Sequence, residues 1–218
     1  MKTIAMIPAR LGSQRLRKKN LLLINNIPLI SHTIRKIKEV NLFDEIWVNS
    51  ENDVFGDIAQ EEQVLFHKRP QELADNEATS EDFVYEFLCH HDCDYLYQIH
   101  SIAPLLTVDD ILGVYELSLT KKYDIILGVV EDNLESFYED KPLNFSFHSK
   151  NNSQELKTIK KVTWSITVWD REKYISTYEQ GKCATYNGKI GFYNLNKISG
   201  IVIKTQEDFD LVEKILKK

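Results

Sequence analysis

Short apolar runs alternate along the chain with segments whose apolar residues recur at helical spacing. "KTIAMI" (2–7) precedes "PLISHTIRKIKEV" (28–40), where Leu29, Ile30, Ile34, Ile37 and Val40 form one face and Pro28 suits a helix start. "DEIWVNS" (44–50) and "VLFHK" (64–68) flank the helical "DVFGDIAQEE" (53–62). "SEDFVYEFLCHH" (80–91) opens on Ser80, a candidate N-cap followed by two acids. "CDYLYQI" (93–99), the helical "TVDDILGVYELSLTKK" (107–122) and "YDIILGVV" (123–130) continue the alternation. Apolar strands joined by helical crossovers predict an α/β fold, with a mostly parallel, Rossmann-like sheet and helices on both faces. In such sheets ligands bind beyond the carboxyl ends of the strands, at a topological switch point. The loop after the first strand is therefore where a site is expected.

The alternation lapses after residue 131. "EDNLESFYEDKPLNFSFHSKNNSQELKTIKK" is polar and irregular, and predicts a hairpin or arm at about 134–161 projecting from the sheet. "VTWSITVWD" (162–170) returns as a strand, and Trp164 and Trp169, five apart, are expected on opposite faces. A helical stretch, "KIGFY", "GIVIK" and a closing helix over 206–218 follow. The 218 residues suit a single domain with a small appendage, and no repeat is found. A formal charge of −6 with no basic stripe beyond the first loop gives no support to nucleic-acid binding. No apolar run approaches the roughly 20 residues of a membrane span, and nothing resembles a signal peptide. Three cysteines without metal-ligand spacing suit a reducing, cytoplasmic setting.

Within this acidic chain, "IPARLGSQRLRKKN" (7–20) gathers Arg10, Arg15, Arg17, Lys18 and Lys19. Local charge of this kind suits a small polyanion. Gly12 and Ser13 allow a close backbone approach, and Arg10, Lys18 and Lys19 can neutralise a triphosphate. The Gly-Lys-Ser/Thr order of a Walker loop is absent. From these residues alone the loop reads equally as a solvated basic surface.

"IAMIPARLGSQRLRKKN" resembles the signature of the cytidylyltransferases that activate sialic acid and related 3-deoxy-2-keto sugar acids. "KRPQELADNEATSEDFV" (68–84), "IHSIAPLLTVDDI" (99–111) and "KTQEDFDLVEKIL" (204–216) are similar to three further stretches of that family. The resemblance runs nearly end to end and is weakest between about 134 and 190. It implies a nucleotidyltransferase fold, CTP and a sugar acid as co-substrates, Mg²⁺, and a homodimer whose arms reach across to the partner. Residue by residue, it implies that Arg10 and Lys19 contact the triphosphate and carry catalysis. It also implies that Gly12 and Ser13 form the loop's backbone turn, that Ala9, Gly12 and Ser13 bind the nucleotide, and that Asn20 closes the loop on it. Arg69 would lie near base and ribose, and Ser80 beside the cytosine, a role compatible with capping.

The chain departs from the family at several positions. Gln14 replaces a Lys, and Arg15 stands where one branch has Gly and another Arg. His100 occupies the place of a Gln that reads the base, and reads equally as a satisfied or solvent-facing histidine. Where sialic-type members carry Asp-Ile-Asp-Thr as metal ligands, this chain has Val202, Ile203, Lys204 and Thr205. The metal ligands are therefore unknown. Asp208, the nearest carboxylate left in the pattern, reads first as a helix-dipole partner. Lys204 either replaces part of the metal's charge at the triphosphate, or points to solvent, or marks an inactive site. A nucleotide- or sugar-binding relative without catalysis, and a transferase with another acceptor such as an alcohol phosphate, are the alternative functions.

Overall fold

The computed structural model describes every residue except Gln14, Asn76, Asn151 and Lys218. The departure noted at Gln14 thus lies outside the described residues. Among the described residues, eleven strands and six α-helices follow in chain order: β1 (Thr3–Pro8), β2 (Leu23–Ile24), β3 (Ile27–Pro28), α1 (Leu29–Val40), β4 (Glu45–Ser50), α2 (Asp53–Glu61), β5 (Leu65–Lys68), α3 (Ser80–His90), β6 (Tyr95–Ile99), α4 (Val108–Leu119), β7 (Ile125–Asp132), β8 (Phe137–Tyr138), β9 (Lys141–Pro142), β10 (Ile159–Asp170), α5 (Arg171–Glu179), β11 (Ile190–Asn194) and α6 (Gln206–Leu216).

Seven strands form one sheet in the order β11-β7-β10-β6-β1-β4-β5. All neighbours run parallel except β10, which lies antiparallel between β6 and β7. From β1 the chain moves outward to β4 and β5, then crosses back to β6 on the other side of β1. The loops after β1 and β6 therefore leave adjacent strands at the switch point, where crossovers diverge and a crevice opens.

Every residue of β1 is buried. Ala5 and Ile7 pack with α1, α2 and α4 on one face, whereas Ile4 and Met6 pack with α3 and α5 on the other. Both faces are thus covered, which is why the strand reads as continuously apolar. A third cluster, with Ile24, Leu29, Leu105, Ile203, Phe209 and Val212, seats α6 against the β2–β3 hairpin.

Three expectations change in detail. The N-cap of α3 is Thr79, not Ser80: the Thr79 hydroxyl accepts from the Asp82 amide and the Asp82 side chain accepts from the Thr79 amide. A carboxylate three residues on completes this reciprocal box for Thr79, and Ser80 becomes the first helical residue. The arm is shorter than expected, because β10 already begins at Ile159. It carries the β8–β9 hairpin, with Glu139 and Asp140 at positive φ, and exposes Leu134, Phe137, Tyr138, Leu143 and Phe147.

The two tryptophans, third, do not face opposite ways. Trp169 is buried in the α3–α5 face and Trp164 packs on the same cluster. Between Val162, opposite Val129, and Thr167, opposite Leu127, β10 advances five residues against two of β7. The odd excess is taken up in a bulge with Trp164 at φ 60°, and it reverses the side-chain parity.

Candidate active site

The loop after β1 is held along its backbone by a backbone carbonyl of β4 and by side chains from other parts of the chain. The Ala9 amide donates to the Asn49 carbonyl at 3.0 Å. Arg69 Nη2 donates to the Ala9 carbonyl at 2.9 Å, and Asn20 Nδ2 to the Arg10 carbonyl at 3.4 Å. The Leu11 amide donates to Glu51 Oε1 at 2.8 Å. Asn20 is fixed in turn by the Ser101 hydroxyl, which donates to its Oδ1 at 2.8 Å. The Arg10 guanidinium reaches the Asp75 carbonyl at 3.0 Å. The chain then turns through Lys18 in the left-handed region (φ 48°) into a short 3-10 turn, Lys19–Leu21. A lysine held at positive φ costs about 1 kcal/mol or more, a strain typical of functional loops. It orients Lys19 and buries Asn20.

These residues surround a cavity of about 250 Å³ above the carboxyl ends of β1 and β6. Ala9, Arg10, Ser13, Lys19, Asn20, Arg69 and His100 all line it, as do Arg15, Phe83 and Ile102. Gly12 sits outside, on the rim of a neighbouring depression that it shares with Ser13. A Cβ on Gly12 would meet nothing within 4 Å, so the chain's own packing does not require glycine there. Ser80, exposed at the start of α3, is not among the lining residues.

Among the described residues, four cationic side chains and no carboxylate line the cavity. Lys19 is half-buried, and its Nζ donates to the Ile203 carbonyl at 3.0 Å. Burial, reinforced by the charges of Arg15 and Arg10, lowers its pKa. Arg69 is 3% exposed, with its guanidinium 4.7 Å above the Phe83 ring and an ion pair to Glu51 at 3.2 Å. Burial lowers its pKa, and Glu51 offsets part of that effect. The His100 imidazole is pushed down to about 4, first by burial and then by Lys19, so it is neutral at pH 7. His100 Nε2 and Arg69 Nε are shielded from solvent without a partner. An unpaired buried polar atom costs about 1–3 kcal/mol, which marks both as groups able to gain from a ligand in this cavity.

Lys204 lies beside this cavity rather than within its lining. Ile203 bridges the two sides: its carbonyl takes the Lys19 bond, and its amide donates to the Ile102 carbonyl at 2.8 Å. Its neighbours Val202 and Lys204 line a second cavity of about 310 Å³, with Lys161, Thr163 and Lys197. Asp132, also in that lining, pairs with Lys161 at 2.6 Å.

The donor set does not suit a divalent metal held by the chain. Hard cations need oxygen ligands, and the first cavity offers no carboxylate among the described residues. Asp208 is occupied by the amides of Lys204 and Thr205, each at 2.8 Å, as part of the α6 capping box. Among the described residues, no three His, Cys, Asp or Glu side chains converge as a metal site.

The sequence reading missed Glu51 and Phe83. A single acid after an apolar strand carries no local signal of burial, and Phe83 reads as an ordinary helix residue. Only the approach of β4, Arg69 and the first loop gives them their place.

Comparison with known proteins identifies the family and the fold. A family profile described as cytidylyltransferase matches residues 4–218. The N-acylneuraminate cytidylyltransferase of Escherichia coli O18:K1:H7 (strain RS218 / NMEC) is 26% identical over 233 residues, covering 100% of this chain and 52% of that protein. The pseudaminic acid cytidylyltransferase of Campylobacter jejuni is 26% identical over 199 residues, covering 88% of this chain and 78% of that protein. This chain thus spans about half the length of the first of these relatives. Its fold matches a solved structure of CMP:2-keto-3-deoxy-manno-octonic acid synthetase complexed with CTP, with a TM-score of 0.75, 16% identity, and coverage of 100% of this chain and 99% of the other. With its profile match spanning all but the first three residues, the chain belongs to the cytidylyltransferase family.

Proposed function

We propose that this protein transfers CMP from CTP to the anomeric hydroxyl of a 3-deoxy-2-keto sugar acid and releases pyrophosphate. The convergence of Arg10, Arg15 and Lys19 on one cavity at the switch point carries this reading, together with family membership. The acceptor hydroxyl attacks the α-phosphorus in line. The bond to the β-phosphate oxygen breaks, pyrophosphate leaves, and the hydroxyl proton passes to solvent. In such a reaction the protein contributes mainly position and charge. Arg10 and Lys19 hold the triphosphate and the charge developing on the leaving group. Ser13 and Asn20 fix the loop around it. His100, neutral at pH 7, offers an unpartnered Nε2 to the base; Ser80, outside the lining, has no part in this reading. A divalent cation enters this reading only as part of the substrate, bound to the triphosphate.

The second cavity supports an acidic acceptor. Lys197 and Lys204 have no ion-pair partner among the described residues, and Thr163 adds a hydroxyl. A carboxylate there would lie on the far side of Ile203 from the triphosphate. The exposed aromatic residues of the arm support a homodimer in which a second copy covers them.

One observation favours a second reading. The lack of carboxylates among the described lining residues suits a protein that binds CTP without turning it over. Pyrophosphate release decides between them, measured with CTP and a panel of eight- and nine-carbon keto-sugar acids plus an alcohol phosphate, with and without Mg²⁺. Release with a sugar acid supports transfer. Release only with the alcohol phosphate reassigns the acceptor, and CTP binding without release supports the non-catalytic reading.

A further inference from the structure

We infer that Glu51 is a positioning residue for this transfer, acting through the backbone that carries Arg10; the inference rests on the CTP-dependent reading above. Glu51 follows β4 directly and is 8% exposed. Its carboxylate is fully engaged within the protein. Oε1 accepts from the Leu11 amide at 2.8 Å, while Oε2 accepts from the Ser50 hydroxyl and from Arg69 Nη2, each at 3.2 Å. The same Arg69 nitrogen donates to the Ala9 carbonyl at 2.9 Å. The ion pair therefore grips the chain immediately before and immediately after Arg10, at one carbonyl and one amide.

Two consequences follow from charge. Glu51 neutralises Arg69, so Arg69 acts on the site as a strut and adds little to its net field. The lining cations without a carboxylate partner among the described residues are Arg10, Arg15 and Lys19. Removing Glu51 would also leave the Arg69 guanidinium buried and unpaired, free to repel Arg10, a like charge that already acts on it. The arrangement spends a buried carboxylate on a loop amide beside an open cavity, where solvent could satisfy that amide at lower cost. Its return is a fixed Arg10, since a misplacement of about 1 Å in a charge-stabilising group can cost about 100-fold in rate.

The test uses Glu51→Ala, Glu51→Gln, Arg10→Ala and the Glu51→Ala/Arg10→Ala double variant. kcat and KM for CTP are measured per folded molecule, and amide exchange is followed at Leu11 without nucleotide. Glu51→Ala is expected to lower kcat/KM by at least about tenfold and to speed exchange at Leu11. Glu51→Gln, which keeps an oxygen for that amide, should recover part of both. The double variant should be no slower than Arg10→Ala alone, because a residue that acts only by placing Arg10 has nothing left to place. Additive losses in the double variant, or unchanged Leu11 exchange in Glu51→Ala, would overturn the inference. Wild-type protein without CMP transfer would defeat the proposed function instead, and the exchange measurement would still decide the positioning role.

Discussion

Under the proposed CMP transfer, Lys19 separates what the loop does for catalysis from what it does for the fold. In the ligand-free protein it is half-buried, it makes one hydrogen bond at 3.0 Å to the Ile203 carbonyl, and burial and the charges of Arg15 and Arg10 all oppose its ionisation. Replacing it with methionine keeps most of the length of the side chain and removes the charge. The lost hydrogen bond costs about 1–2 kcal/mol. Relief from burying a cation among cations offsets much of that, so the net change in stability should stay within about 1 kcal/mol. Catalysis has no such offset. A charge-assisted bond to a phosphate oxygen that strengthens as pyrophosphate leaves contributes about 3 kcal/mol, and each 1.4 kcal/mol is about tenfold in rate. Lys19→Met should therefore lower kcat/KM for CTP by about 100-fold while leaving the urea midpoint nearly unchanged. Pyrophosphate release and urea unfolding of the same preparations measure both quantities. A loss of activity under threefold would show that Lys19 is part of a solvated basic surface. A fall in stability above about 2 kcal/mol, with activity tracking the folded fraction, would make it a structural residue.

Arg10→Ala should show a similar loss of about 100-fold in kcat/KM with little change in melting temperature; near-normal turnover would remove Arg10 from the catalytic group. His100 has a folded-state pKa of about 4, below its unfolded value, so its contribution to stability is present above about pH 6.5 and is lost as pH falls towards 4. Urea unfolding at pH 7 and pH 5 should show His100→Gln losing about 1–2 kcal/mol less stability than the wild type between the two, and equal losses would contradict the burial argument. Lys204→Ala should raise KM for the sugar acid by about fivefold while leaving CTP affinity nearly intact, as for one partly exposed charge-assisted contact; calorimetry showing the opposite order would return Lys204 to the triphosphate. Light scattering of the 25.4 kDa chain should give about twice that mass, and Phe137→Asp with Phe147→Asp should lower it; the monomer mass at micromolar concentration in the unaltered protein would end the dimer proposal.

The strands and helices were legible because each is written in its own periodicity. β1 has apolar residues on both faces, and α1 has one apolar stripe. The basic loop was legible because five cations in fourteen residues of an acidic chain form a local anomaly. Even the true cap of α3 was within reach, since Thr79 and Asp82 have the spacing of a capping box and Ser80 does not. The face of Trp164 was not, because parity survives only while two strands advance together, and the bulge that breaks it depends on β7 as well as β10. Glu51 is one acid among 33 Asp and Glu residues until the fold brings it to the amide of Leu11 and the guanidinium of Arg69. Lys204 keeps its place in the closing motif, yet its neighbour Ile203 is the residue that turns its carbonyl to Lys19. An element's type follows from contacts between near neighbours, and those are repeated in the sequence. A site is made of single side chains meeting across long stretches of chain, and their meeting depends on the register, twist and bulges of strands that pair only in the folded protein.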